Sequence, residues 1–156
     1  NGFAGELGHI YIGYASNDSM CSCGNQSCFQ AVASGPAVLR KYNSAAKTCL
    51  TSLEQVHRKY LHGDPIAVKC LSDMIDCISG VIYNLAMCLD IPLFIMGGGV
   101  SNMGTDLISQ IESKANERLK FFERRISVKQ AHLGEFSGVY GALQLLKNHV
   151  LMGKGE

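Results

Sequence analysis

The chemistry this sequence offers most plainly sits near its N-terminus. His9 is followed by Cys21, Cys23 and Cys28 in the run Cys21-Ser22-Cys23-Gly24-Asn25-Gln26-Ser27-Cys28, so one imidazole and three thiols fall within residues 9–28. That donor set is the inventory of a closed, tetrahedral Cys3His zinc site, whose ligand atoms stand about 2.0–2.3 Å from the ion. A Cys-x-Cys step followed by glycine lets a tight knuckle aim several sulfurs at one point, with Gly24 as its hinge. Three thiolates and a neutral imidazole around Zn²⁺ leave one net negative charge. Binding of this kind is worth roughly 10–16 kcal/mol in small zinc peptides, enough to order a loop of little apolar content. The expected role is structural. The alternative, three free or disulfide-bonded thiols beside an unrelated histidine, gives His9 no part to play.

The elements that must hold these ligands follow from periodicity and caps. Residues 9–12 (His-Ile-Tyr-Ile) are β-prone and predict a strand start carrying His9, with the cysteines on the loop after it. Residues 29–35 predict a helical turn closing the knuckle. Pro36 fits the first position of a helix to about Tyr42, and another helix is expected over 52–61, stopped by Gly63. Asp64-Pro65 pairs an N-cap carboxylate with a proline at the first helical position. From there Val68, Leu71, Ile75, Ile78, Ile82, Leu85 and Leu89 recur at three and four until Asp90 and Pro92, which marks the core helix. His57 and His62 have no cysteines at ligand spacing and are expected at the surface.

Residues 92–96 (Pro-Leu-Phe-Ile-Met) predict a short buried strand, 97–104 (Gly-Gly-Gly-Val-Ser-Asn-Met-Gly) a glycine loop, and 105–122 a helix. Such a succession can bring backbone N–H groups against a phosphate or nucleotide. An ordinary tight turn reads equally well, because Asn102 stands where G-x-G-x-x-G needs its third glycine and the lysine of a Walker loop is missing. Residues 125–130 alternate Ile126 and Val128 with polar neighbours, as a half-exposed strand does. Residues 133–138 lead into a last helix through about Leu146, and 153–156 form a polar tail.

A length of 156 residues suits one domain, and 47% apolar content is enough for a core. The formal charge of +1 gives no electrostatic footprint for nucleic acid, since the one basic cluster, Lys120, Arg124 and Arg125, is diluted by Glu117 and Glu123. No apolar run reaches the roughly 18–20 residues of a membrane span. No signal peptide is seen, although a chain opening on Asn1 without an initiator methionine leaves room for a targeting segment cut away upstream. The seven cysteines divide into three ligands plus Cys49, Cys70, Cys77 and Cys88. Cys70 and Cys77, seven apart on one helix, stand about 10 Å apart, beyond disulfide reach, and read as small buried hydrophobes. This usage points to a reducing compartment, and a cytoplasmic location is expected.

With these residues assembled, the chain resembles the ROK family, which joins sugar-responsive bacterial repressors and sugar kinases. The resemblance rests on residues 1–9 (Asn-Gly-Phe-Ala-Gly-Glu-Leu-Gly-His), on Cys21 through Cys28, on Ser34-Gly35 with Pro36, on Met96 through Ser101, and on Gly138 through Gly141-Ala142. It spans nearly the whole chain in the right order. It implies an actin-like, ribonuclease-H-like α/β fold of two lobes, of which this chain is a single partial domain, most of the second lobe. The family's phosphate loop and catalytic aspartate would lie upstream, so no residue here is a catalytic candidate.

Carried over by position, the resemblance makes His9, Cys21, Cys23 and Cys28 the zinc ligands. It makes Glu6, His9 and residue 30 sugar ligands, and it places Gly97, Gly98 and Gly99 at the nucleotide if the parent protein binds ATP with Mg²⁺. Gln30 stands where the family commonly has glutamate, and Ser27 where it usually has glycine. The main functional expectation is the sugar-sensing part of a transcriptional regulator, reaching DNA only through an upstream domain. The alternatives are the second lobe of an ATP-dependent sugar kinase of glucokinase, fructokinase or N-acetylmannosamine kinase type, and a zinc-stabilised dimerisation module. A small-molecule sugar is the expected partner, with no membrane. An incomplete lobe should also expose a strand edge or apolar patch that a homodimer would cover.

Overall fold

The computed structural model describes residue 2, residues 5–13 and residues 20–152. Its spine is helix α4 (Pro65–Leu89). The Asp64 side chain accepts from the Ala67 N–H at 2.9 Å, Pro65 occupies the first turn, and Asp90 ends the helix in the left-handed region at φ 53°. Around it pack α1 (Phe29–Ala33), α2 (Gly35–Ala46), α3 (Leu53–Leu61) and α5 (Thr105–Leu119). Leu71, Met74 and Ile75 of α4 meet Val38 and Tyr42 of α2, Val56 of α3 and Ile111 of α5 in one buried cluster. Each of these side chains keeps 2% or less of its surface in water, so together they supply most of the burial that holds the helices. Cys70 and Cys77 are buried in the same cluster as small apolar groups.

The predicted helices are all present, with shifts that have local causes. Helix α2 runs past Tyr42 to Ala46, because only at Lys47 does the backbone turn left-handed, at φ 51°. Helix α5 is regular to Leu119 and tightens into a 3-10 turn over Lys120–Phe122 before Glu123 turns left-handed at φ 52°. In the apolar strip of α4, Leu71, Ile75, Ile78 and Ile82 are inside, while Val68 and Leu89 are exposed; at the N-terminal end it is Ala67, next to Val68, that faces the core. The last helix, α6 (Ser137–Met152), continues beyond Leu146.

Strands β1 (Leu93–Met96) and β2 (Ser127–Gln130) pair in parallel, Leu93 against Ser127 through Met96 against Gln130, with α5 as the crossover. Helix α5 also occupies the outer edge of β2. Asn116 exchanges two hydrogen bonds with the backbone of Ile126, at 2.9 and 3.0 Å, and the Glu112 carboxylate accepts from the Val128 N–H at 2.6 Å. Polar side chains of a helix thus replace a third strand on that side.

The expectation of a buried strand at 92–96 is corrected. Phe94 and Met96 pack on the core, but Ile95 is 68% and Leu93 49% exposed, because the core covers one face of the sheet only. Helix α6 also carries Val139, Tyr140, Leu143, Leu145 and Leu146 on its surface, and among the described elements it packs closely only on the turn before it. His62 is exposed as expected, and His57 is half-buried, stacked on Tyr60. No helix among the described residues is long and apolar enough to cross a membrane.

The α4 cap yields a pH test. The Ala67 N–H, aided by the Tyr42 hydroxyl donating at 3.2 Å, holds the Asp64 carboxyl below its usual range. A depressed carboxylate contributes stability that is present above its unfolded value of about 3.9 and lost as pH falls through the lower folded value. Asp64→Asn keeps a capping acceptor and removes the titration. Urea denaturation from pH 7 down to pH 3 should therefore show a shallower loss of stability for the variant than for the unaltered chain.

Candidate functional site

The N-terminal arm is held by glycines and short backbone bonds rather than by a strand. Gly5 sits at φ 94°, and residues Leu7–His9 form a 3-10 turn in which the His9 N–H donates to the Glu6 carbonyl at 3.0 Å. The strand expected at 9–12 is reduced to a single antiparallel bridge, Tyr11 with Cys28, framed by Ile12 N–H to Ser27 carbonyl at 3.0 Å and Phe29 N–H to Ile10 carbonyl at 2.9 Å. Pairing stops there because α1 begins at Phe29 and withdraws the partner strand. Ser27 adopts φ 62°, a left-handed conformation that glycine takes at less cost.

The knuckle folds as its spacing predicts. Gly24 lies at φ 87°, its N–H donates to the Cys21 carbonyl at 3.0 Å, and the Cys21 N–H donates to the Asn25 carbonyl at 2.9 Å. Together the two segments bring the four expected ligands to one place. His9 Nδ1 is 3.5 Å from Cys21 Sγ, Cys23 Sγ is 3.6 Å from Cys28 Sγ, and no two of the four donor atoms are more than 4.8 Å apart. The edges of a tetrahedron around Zn²⁺ come to about 3.5 Å between nitrogen and sulfur and about 3.8 Å between sulfurs, so the two shortest separations already match a metal cage.

The electrostatics of the cluster also fit a cation. A hydrogen bond from the Cys23 backbone, with further ones from Cys23, Gln30 and His9 side chains, outweighs burial and lowers the Cys21 thiol to about 6. Burial pushes the Cys28 thiol up to about 12. A cation would hold all the sulfurs as thiolates together. Apolar burial contributes little here, since the local cluster consists of Cys21, Cys28 and Ala31 alone.

Glu6 and Gln30 flank the ligands. Glu6 Oε2 is 3.8 Å from His9 Nε2, the nitrogen turned away from the sulfurs, and both side chains are exposed. Gln30, two residues after Cys28 on α1, donates from Nε2 to Cys21 Sγ and to Ser22 Oγ, each at 3.2 Å. Sequence reasoning missed Ser22 and Gly8. A Cβ at residue 8 would lie 2.8 Å from Gln30 Oε1, so the glycine between Glu6 and His9 makes room for that amide.

Gly97, Gly98 and Gly99 lie on a separate loop, all exposed, where the chain leaves the carboxyl end of β1. Gly98 has φ 83°, and its carbonyl accepts from both the N–H and the hydroxyl of Ser101, at 3.1 and 2.7 Å. The loop leads through a 3-10 turn, Ser101–Met103, to the start of α5. In parallel α/β sheets the carboxyl ends of strands are where ligands bind.

The ROK family model matches residues 1–149, and this chain belongs to the ROK family. It is 27% identical over 164 residues to the glucokinase of Thermotoga maritima, covering 96% of this chain and 51% of that protein. A solved ROK family glucokinase from Streptomyces griseus, in complex with glucose and AMPPNP, superposes with a TM-score of 0.74 at 27% identity, over 91% of this chain and 51% of that one. A solved ROK family transcriptional regulator, a homolog of the E. coli MLC protein, gives 0.63 at 23% identity over 80% and 33%, a likeness of fold. The α/β architecture is thus shared with actin-like sugar kinases. The chain spans about half the length of the curated relatives it matches.

The backbone at Gly24 gives a direct test. A Cβ there meets nothing within 4 Å, so Gly24→Ala should act through the left-handed backbone alone. The expected cost is about 1–2 kcal/mol, read from the denaturation midpoint.

Proposed function

We propose that this chain is the sugar-binding half of a ROK sugar kinase, shaped by a structural zinc ion and not catalytic by itself. The observation that carries the reading is the chain of contacts from Cys21 through the His9 ring to the exposed Glu6 carboxylate. His9, Cys21, Cys23 and Cys28 would hold the zinc, which supplies charge and fixed geometry. A histidine bound to metal through one ring nitrogen offers the other to a carboxylate, and each then restricts the other. Glu6, so oriented, is placed to accept hydrogen bonds from neighbouring sugar hydroxyls, with His9 presenting its ring beside it. Preset ligands bind sugar without first losing rotamer freedom.

The expectation of a regulator's sensor half gives way to the kinase alternative. Named kinases match at 27% identity, among them one solved with glucose and AMPPNP, while the regulator's likeness is of fold and lends no specific support. In the kinase reading Gly97, Gly98 and Gly99 border the nucleotide phosphates. The base that takes the proton from the sugar hydroxyl comes from the other half of the protein, as does the remainder of the phosphate cradle. The uncovered face of β1 and the apolar side of α6 support association with that half or with a second copy.

Two substitutions separate metal from sugar. Cys23→Ser should drop the bound zinc from one equivalent to near zero by atomic absorption, and an unchanged metal content removes the ligand assignment. Glu6→Gln, tested in the intact parent protein, should retain zinc yet weaken sugar binding about ten- to hundredfold in calorimetry, the share expected of hydrogen bonds to a charged acceptor. Sugar affinity equal to that of the unaltered protein removes Glu6 from the pocket.

A further inference from the structure

We propose that Gln30 is a positioning residue for the metal ion, its amide nitrogen donating to the Cys21 thiolate; this rests on the zinc reading above. The side chain spans both ligand-bearing segments. Its Nε2 reaches Cys21 Sγ and Ser22 Oγ at 3.2 Å on the knuckle, and its Oε1 lies against Gly8, next to ligand His9. The orientation of the amide follows from chemistry. A metal-held thiolate has no proton to give, so the group facing it must be the donor, which turns the oxygen toward Gly8. The missing side chain at residue 8 leaves that oxygen its place.

Helix α1 gives the contact its rigidity. Cys28 is its N-cap and Gln30 stands in its first turn, so a ligand and a donor to another ligand move as one body. With three thiolates and zinc the site carries one net negative charge, and an N–H···S bond draws charge off the sulfur. The nitrogen is directed at Cys21 and Ser22, so any hydrogen bond from a sugar hydroxyl falls to Oε1.

The test compares the unaltered protein with Gln30→Met and Gln30→Leu, both close in size to glutamine and both lacking the donor. Zinc affinity is measured by competition with a chromophoric chelator, and the thiolate-to-metal charge-transfer band is recorded after Co²⁺ replacement. The expected result is a loss of zinc affinity of about 10- to 100-fold in both variants, together with a shifted Co²⁺ band. The band reports on the sulfur itself, so a merely structural role for Gln30 would leave it in place. Wild-type affinity and an unshifted band in both variants overturn the inference while leaving the zinc assignment standing. Failure of the unaltered protein to hold one equivalent of zinc overturns both.

Discussion

Four donor atoms drawn within 4.8 Å of one another are the constraint that ties residues 5–13 to residues 20–28. Between Gly5 and Cys28 the described backbone has turns and isolated bridges in place of regular sheet, and its apolar burial is small: Cys21 and Cys28 packed with Ala31, and Ile12 partly buried against the main core. Burial of that size cannot offset the ordering of so many residues, each costing about 1–2 kcal/mol of backbone entropy. Zinc held by His9, Cys21, Cys23 and Cys28 would do here what a hydrophobic core does elsewhere in the chain. Glu6, three residues before His9, keeps its exposed carboxylate 3.8 Å from the His9 ring.

The rest of the chain is built on a different principle. Helix α4 packs against four other helices and buries Leu71, Met74 and Ile75 among them. Polar groups enter this layer where they satisfy backbone: Asp64 caps α4, Asn116 and Glu112 complete the outer edge of β2, and Ser79 donates to the Asp76 carbonyl while accepting from Arg118. No buried side-chain nitrogen or oxygen among the described residues lacks a partner. The two regimes meet at α1, which carries Cys28 and Gln30 at its start and packs against α4.

Much of this was legible from local signals. The cap at Asp64-Pro65 and the three-four spacing after it determine α4 almost to the residue, and the Cys-x-Cys-Gly step predicts the knuckle because a glycine at positive φ is what the turn needs. The family resemblance, carried by residues in every part of the chain, is supported by the family match. What escaped depends on contacts that spacing does not encode. His-Ile-Tyr-Ile is β-prone, yet its partner strand turns helical at Phe29. The apolar run at β1 reads as buried, although only one of its faces finds a neighbour. Gln30 was placed by analogy with a glutamate that binds sugar, and its contact with Cys21 becomes visible only when the knuckle curls back on α1.

The parallel pairing of β1 with β2 has a consequence for how the chain acquires its shape. Joining Leu93 to Ser127 closes a loop of roughly thirty residues, and such long-range closure is costly until something else holds the ends near. Helix α5 lies inside that loop and docks on α4. With the helices packed, the strand ends are already near each other, so their pairing costs less chain entropy. The glycine loop after Met96 takes its form from the strand end beside it, so its geometry rests in turn on the α4–α5 contact.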